Sequence, residues 1–315
     1  MPRRQLSEQQ FVAELQGLFA QNSTRIETGI GDDAAVILPG RQRWVWTVDA
    51  SFAGVHFNAK WLSYSDIGYR AAQAALSDLA AMGAAPLAML SSLGVPQRLQ
   101  RAAMRELVRG QARAAREQQC PIVGGNISRA DRLSVTTTVL GEARKPLLRS
   151  GARVGDELWL IGNVGLARAG LLALQRRVTG TGVAPAVHAW RRPKALIGQG
   201  LGLIGRAHAA IDISDGLSGD ARTLALASGV KIVVAAELLR AALSPQLLGA
   251  AKTLKQDAWQ LALVGGDDYA LLACGRANKR PNSARHIGYV ERGSGAVLRT
   301  SAGDRALKAG FDHLA

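Results

Sequence analysis

Acidic clusters recur along this chain, several of them beside glycine: Gly31-Asp32-Asp33, Val48-Asp49, Ser77-Asp78, Asp212-Ile213-Ser214-Asp215-Gly216 and Gly265-Gly266-Asp267-Asp268. They stand against 39 Lys and Arg and only 24 Asp and Glu, a formal charge of +15. Carboxylates a few ångströms apart repel unless a cation lies between them. Oxygen donors of this kind suit Mg²⁺, and Mg²⁺ suits phosphate oxygens. Neighbouring glycines let the backbone approach a phosphate closely. The combination points to ATP-dependent phosphoryl chemistry.

Each cluster also has a plainer explanation. Asp32 and Asp33 precede the apolar run Ala34 to Leu38, a placement that also fits a solvated turn. Asp49 closes an expected strand, where a sheet would fix a ligand-binding group, and His56 follows at loop distance. Asp78 interrupts a small, apolar helical run containing Ala71, Ala72, Ala74, Ala75, Leu76 and Leu79. An acid near a helix C-terminus is opposed by the dipole, so Asp78 faces either solvent or a cation. Asp212 and Asp215 flank Ser214 in an expected turn before a helix, whose free N–H groups could receive phosphate. An ordinary N-cap is the alternative. There is no G-x-x-x-x-G-K-[ST] loop, kinase-type glycine loop, G-x-S-x-G elbow or H-E-x-x-H.

The elements expected to position these residues alternate between helix and strand. Phe11, Leu15 and Leu18 have helical spacing, and Trp44 to Asp49 reads as a short strand. Ser65 or Asp66 caps a helix through Leu79 that stops at Gly83. A second helix follows Pro96 to about Gln118, and Pro121 to Val123 forms a strand opening onto a Gly124-Gly125-Asn126 turn. Arg132 to Gly141 is β-rich. Composition shifts between Glu142 and Gly151, which places domains at 1–145 and 146–315. The second half has strands at Glu157 to Ile161, Val230 to Val234 and Tyr269 to Cys274. Its helices run through Leu171 and Leu174, from Pro193 in a first turn to an end before Ile211, from Leu217 to Ala227, and to an end at Leu263. The mixture implies two α/β or α+β domains.

Composition narrows the partners. The 315 residues suit two domains, and 48% hydrophobic content is ample for their cores. The basic surplus is scattered, its densest groups being Pro2-Arg3-Arg4, Arg176-Arg177 and Arg191-Arg192-Pro193-Lys194. No long basic run with interleaved aromatics occurs, so no nucleic-acid partner is expected. Cys120 and Cys274 stand apart in apolar contexts and read as small buried hydrophobes in a reducing compartment. Met1-Pro2-Arg3-Arg4-Gln5 lacks an apolar signal region, and no apolar stretch is long enough to span a bilayer. A cytoplasmic location without a membrane partner is expected.

Taken in order, the motifs resemble one family. Ile30-Gly31-Asp32-Asp33-Ala34-Ala35-Val36, Asp49 through Gly54-Val55-His56-Phe57, Leu76-Ser77-Asp78-Leu79-Ala80-Ala81-Met82-Gly83-Ala84, Ile211 to Leu217, Gly265 to Tyr269 and the ending Gly310-Phe311-Asp312-His313 are similar to thiamine-monophosphate kinases. The resemblance implies an aminoimidazole ribonucleotide synthetase-like fold of two α/β domains, with a mixed N-terminal sheet used for homodimerisation. It implies transfer of the γ-phosphoryl of ATP onto thiamine monophosphate. It implies Mg²⁺ contacts from Asp33, Thr47, Val48, Asp49, Asp78, Asn126, Asp212 and Asp215. ATP would meet Gly125, Asn126, Arg149 and Ser214, and the thiamine side would meet His56, Asp267 and Phe311.

The chain departs from the family pattern at three positions. Asn126 stands where Asp is usual, Val48 where a hydroxyl residue is usual, and Asp267 where Glu is usual. Because the acceptor is a phosphate monoester, no general base is expected, and Asp212, Asp215 and Arg149 would assist the transfer. Within the superfamily, the chain lacks the reactive N-terminal Cys of a selenophosphate synthetase and the C-terminal Cys of the hydrogenase-maturation member. Aminoimidazole ribonucleotide synthetase, or a non-catalytic nucleotide binder, remains the alternative.

Overall fold

The structure, a computed structural model, describes residues 14–15, 17–19, 24–28, 36–37, 40 and 42–307. The chain divides into two compact units. One comprises Met1–Leu76 with Ala85–Arg144, the other Ser77–Ala84 with Lys145–Ala315.

In the first unit, β1 (Ile26–Thr28) and β2 (Val36–Ile37) pair antiparallel. The main sheet contains β3 (Arg43–Phe52), β4 (Ala85–Val95), β5 (Ile122–Arg129) and β6 (Ser134–Ala143), in the order β3-β6-β4-β5. Only β4 and β5 are parallel. The helix α2 (Arg101–Glu117) covers one sheet face, where Gln111 Nε2 donates to Ser91 Oγ at 2.8 Å. It packs closely on α1 (Tyr64–Ala81), because a Cβ at Gly110 would meet the Ser65 carbonyl at 2.0 Å.

Three expectations change in this unit. The α1 cap is Ser63, not Ser65 or Asp66. Asp66 N–H donates to Ser63 Oγ at 3.1 Å, and Asp66 Oδ2 accepts from Ser63 N–H at 3.1 Å, a reciprocal capping box. The strand carrying Asp49 continues to Phe52, so Asp49 does not end it. Gly124-Gly125-Asn126 is not a turn but lies inside β5. Glycine serves there because a Cβ on Gly125 would fall 1.8 Å from the Ser91 carbonyl of the paired strand.

The second unit has a seven-stranded sheet. Its strands are β7 (Glu157–Ile161), β8 (Ala207–Ile213), β9 (Lys231–Ala235), β10 (Ala270–Gly275), β11 (Ala284–Glu291), β12 (Gly295–Thr300) and β13 (Gly303–Ala306). They lie in the order β13-β12-β9-β11-β7-β10-β8. Every residue of β10 is buried, which explains its unbroken apolar run. The helices are α3 (Leu166–Gln175), α4 (Ala184–Arg191), α5 (Ile197–Leu201), α6 (Leu217–Ser228), α7 (Ala236–Ala242), α8 (Pro245–Leu254) and α9 (Ala258–Val264). Pro185 occupies the first turn of α4, while Pro193 follows that helix rather than starting one. Asp212 belongs to β8, not to the turn after it. Cys120 and Cys274 are buried free thiols, and burial raises both, Cys120 to about 12. Among the described residues no helix is long and apolar enough to cross a membrane.

The helix α3 starts at Gly165 without a side-chain cap of its own. Asp268 supplies it: Oδ2 accepts from Gly165 N–H at 2.5 Å and Oδ1 from Ala167 N–H at 2.9 Å. Burial pushes this carboxyl up to about 7, against the pull of those two donors. Asp268→Ala is therefore expected to lower stability by about 2 kcal/mol in urea unfolding, because it orphans two helix-start N–H groups. An unchanged midpoint would remove Asp268 from this role.

Candidate active site

The second unit gathers acids at the end of β8. The strand reaches Asp212 through the buried residues Ala209, Ala210 and Ile211, so its carboxylate is only 4% exposed. Ser77 Oγ donates to Asp212 Oδ2 at 2.8 Å. Asp78 follows Ser77 in the last turn of α1, which holds no basic residue. Burial, and secondly the Asp78 charge, push Asp212 up to about 7; Ser77 and Arg149 pull the other way.

Beyond the strand, Ser214, Asp215 and Gly216 turn the chain into α6. Gly216 caps this helix with φ +105°, a conformation that favours glycine. Asp220, in the first turn, is buried and accepts from Asp215 N–H at 3.2 Å. Burial, then the charges of Asp212 and Asp215, push Asp220 up to about 8. Asp220 was absent from the residues expected from sequence. Its signal was an acid five positions after Asp215, easily taken for a dipole complement.

Arg149 approaches the same acids. Its segment is tied by Leu147 N–H to the Met82 carbonyl (2.9 Å) and by the Leu148 carbonyl to Ala210 N–H (3.0 Å). The Arg149 carbonyl accepts from Ser228 Oγ at 2.8 Å. Its guanidinium favours the charged forms of both Asp212 and Asp220.

The Gly265-Gly266-Asp267-Asp268 loop docks on this turn through backbone. Asp267 N–H donates to the Ser214 carbonyl and Tyr269 N–H to the Ile213 carbonyl, both at 2.9 Å. A Cβ on Gly266 would stand 2.5 Å from the Ser214 carbonyl. Gly266→Ala is accordingly expected to push the two turns apart and cut turnover at least about tenfold. Wild-type turnover in that variant would show that the turns need not touch.

The structure thus brings together Asp78, Asp212, Ser214, Asp215, Arg149 and Asp267 in the second unit. Thr47, Val48, Asp49, His56, Gly125 and Asn126 belong to the first. There the register places Asp49 beside Thr137 and Ser91, and Asn126 beside Ser92. Alternation puts the Asp49 and Asn126 side chains on opposite faces, so this register does not join both side chains on one ion. Thr137, opposite Asp49, buries its hydroxyl with no hydrogen-bond partner among the described residues. Asn126 Nδ2 donates to Ser128 Oγ at 3.0 Å. Phe52 N–H donates to His56 Nδ1 at 3.0 Å, which leaves the proton of a neutral ring on Nε2. Asp33 and Phe311 lie outside the described residues. Among the described residues no three His, Cys, Asp or Glu side chains form a ready metal cage.

Comparison with known proteins decides the family. The family described as AIR synthase related protein, N-terminal domain, matches residues 31–143. Thiamine-monophosphate kinase of Mycobacterium tuberculosis is 35% identical over 272 residues, covering 86% of this chain and 81% of its own. The chain belongs to the thiamine-monophosphate kinase family. The fold agrees with solved members of that family. Thiamine monophosphate kinase of Aquifex aeolicus superposes with a TM-score of 0.76 at 31% identity, over 82% of this chain and 89% of its own. AaThiL complexed with AMPPCP and TMP gives a TM-score of 0.82 at 29% identity, over 99% of this chain and all of the other.

Proposed function

We propose that this chain transfers the γ-phosphoryl group of ATP to the phosphate of thiamine monophosphate, releasing ADP and thiamine diphosphate. The observation that carries the reading is the buried Asp212, held by Ser77 beside Asp78, Asp220 and Arg149, in a chain of this family. Such a cluster is costly without a cation and becomes useful with one. The AMPPCP in the AaThiL complex supports ATP as the donor.

The donor set is made of carboxylate oxygens, which fits Mg²⁺. When bound, Mg²⁺ supplies charge that offsets repulsion between two polyanions and aligns their oxygens. The chain's own residues do the rest. Ser77 fixes Asp212, Asp220 fixes the Asp215 amide, and Arg149 faces the acids as a permanent cation. The start of α6 offers unpaired N–H groups to phosphate beside Ser214. In the proposal, Asp33, Thr47, Val48, Asp49, Asp78, Asn126, Asp212 and Asp215 contact several Mg²⁺ ions, with Asp49 and Asn126 on different ones. Gly125 and Asn126 meet ATP, and His56, Asp267 and Phe311 meet the acceptor. An acceptor phosphate is already anionic near neutral pH, so its oxygen attacks in line without a general base.

A homodimer through the first unit is part of the same reading. The face of β3 away from α2 exposes Trp46 at 66% and Val48 at 62%, with Trp44, Phe52 and Leu90 also exposed. An apolar patch of this kind is usually an interface. A cytoplasmic enzyme is likewise proposed. The test is coupled ADP release with ATP, Mg²⁺ and thiamine monophosphate. ADP that appears only with the acceptor supports the kinase, and ATP binding without acceptor-dependent ADP contradicts it.

A further inference from the structure

Two glycines of the short helix α5 have opposite surroundings. Gly198 is exposed, and a Cβ there would meet nothing within 4 Å. Gly200 is buried, and a Cβ on it would stand 2.0 Å from the Ala80 carbonyl oxygen and 2.9 Å from the Ala80 Cα. Neither glycine has a positive φ. Alanine is the better helix former at both positions, so close approach, not backbone freedom, explains glycine at 200. The atoms it meets are backbone and cannot turn aside as a side chain would. The Ala80 carbonyl also accepts from Gly83 N–H at 3.1 Å, among the bonds that close the end of α1. A second contact lies beside the first. Gly83 has φ +60°, and a Cβ on it would stand 2.5 Å from Ile204 Cδ1.

This seat is tied to the acids from both sides. Ala80 stands one turn beyond Ser77 on α1, so the two share a helix face, and Ser77 Oγ donates to Asp212 at 2.8 Å. From α5, Leu203 N–H bonds the Gly200 carbonyl at 3.0 Å and Ala207 N–H bonds the Leu203 carbonyl at 2.9 Å. These turns carry the chain straight into β8, which ends in Asp212 and Ile213. All of these residues belong to the second unit. The geometry points to Gly200 as a positioning residue: its missing side chain lets α5 seat the last turn of α1 so that Ser77 and Asp78 face Asp212. Gly200 acts through those residues and not by contact with a ligand. The inference rests on the Mg²⁺ and kinase reading above.

Gly200→Ala is expected to weaken Mn²⁺ binding to the full chain with AMPPCP at least about tenfold, the scale of losing a residue that orients metal ligands. Its kcat should fall by at least about tenfold as well. Gly198→Ala, in the same helix but with open space around it, should leave both within about twofold. A packing role alone would lower the urea midpoint of Gly200→Ala without moving Mn²⁺ affinity in the absence of urea. That result, or equal losses in the two variants, would overturn the inference. If Gly200→Ala does not fold, Gly83→Ala carries the test. Its Cβ presses on the end of the Ile204 side chain, which is 37% exposed and can yield, so the displacement is milder. A loss of Mn²⁺ affinity of about threefold or more is then expected, and an unchanged affinity overturns the inference. Wild-type protein that binds Mn²⁺ with AMPPCP but shows no acceptor-dependent ADP contradicts the kinase reading alone. Equal Mn²⁺ affinity in wild type and folded Gly200→Ala contradicts the positioning role alone.

Discussion

Asp212→Asn is expected to lower turnover by about 10³-fold, the scale of losing one preorganised electrostatic group at a reacting centre. The same variant should fold as well as wild type or better. Asparagine keeps the shape and an oxygen to accept the Ser77 hydroxyl bond at 2.8 Å. It removes a charge that burial and Asp78 both disfavour. Loss of activity with retained stability separates a functional carboxylate from a structural one, because removing a stabilising buried group does the reverse. Steady-state ADP release at saturating Mg²⁺ and thermal unfolding of the metal-free protein report the two halves. Turnover near wild type would show that Asp212 is not part of the phosphoryl-transfer centre.

The second large effect is on pH. Metal-free protein should be more stable near about pH 5.5 than near about pH 8.5. Asp212 and Asp220 have folded values of about 7 and about 8, both raised from 3.8. Folding therefore takes up protons between those limits. The stability from these groups is fully present below their ordinary range and is lost as pH rises through 7 and 8. For Asp212 alone the part of this loss that falls above about pH 5.5 is on the order of 2 kcal/mol. Asp268, raised to about 7, acts with the same sign. Asp304 and Glu291 are lowered by Arg299 and so act oppositely, but only toward acid pH. Adding Mg²⁺ with AMPPCP at the higher pH should recover the loss, since ligand binding to the ionised cluster favours the folded state. A urea midpoint that is flat or rises across the window would contradict the mutual repulsion.

Ser214, Asp215 and the helix after them were legible in the sequence because a turn leading into a helix is a local pattern. The strand β8 that carries Asp212 was not legible, since a helix reaching to Ile211 was expected where Ala207–Ile213 forms a buried strand. The parts that were not legible depend on distant partners. The α3 helix is capped by Asp268, 103 positions away from Gly165, so no window around the helix contains its cap. Asp220 has the sequence signature of any acid complementing a helix start, and only its burial near Asp212 and Asp215 marks it as part of the cluster. Nothing around Trp190 in the sequence points to its bond with Asp267, 77 positions away. Gly124-Gly125 suggested a turn because glycine pairs usually mark one. Here the missing Cβ serves a close strand pairing with Ser91 instead. Asp49 was expected at a strand end because its apolar run stops there. Yet Ala50 to Phe52 continue the same ladder with β6, since backbone pairing does not require apolar side chains.

Counting bound divalent ions tests the central idea most directly. Mn²⁺ can be titrated into the full chain with AMPPCP and followed by the loss of its free electron-paramagnetic signal. The account predicts about two or more tightly bound Mn²⁺ per chain for wild type, and at least about one fewer for Asp212→Asn. Identical Mn²⁺ numbers and affinities in the two proteins would contradict it.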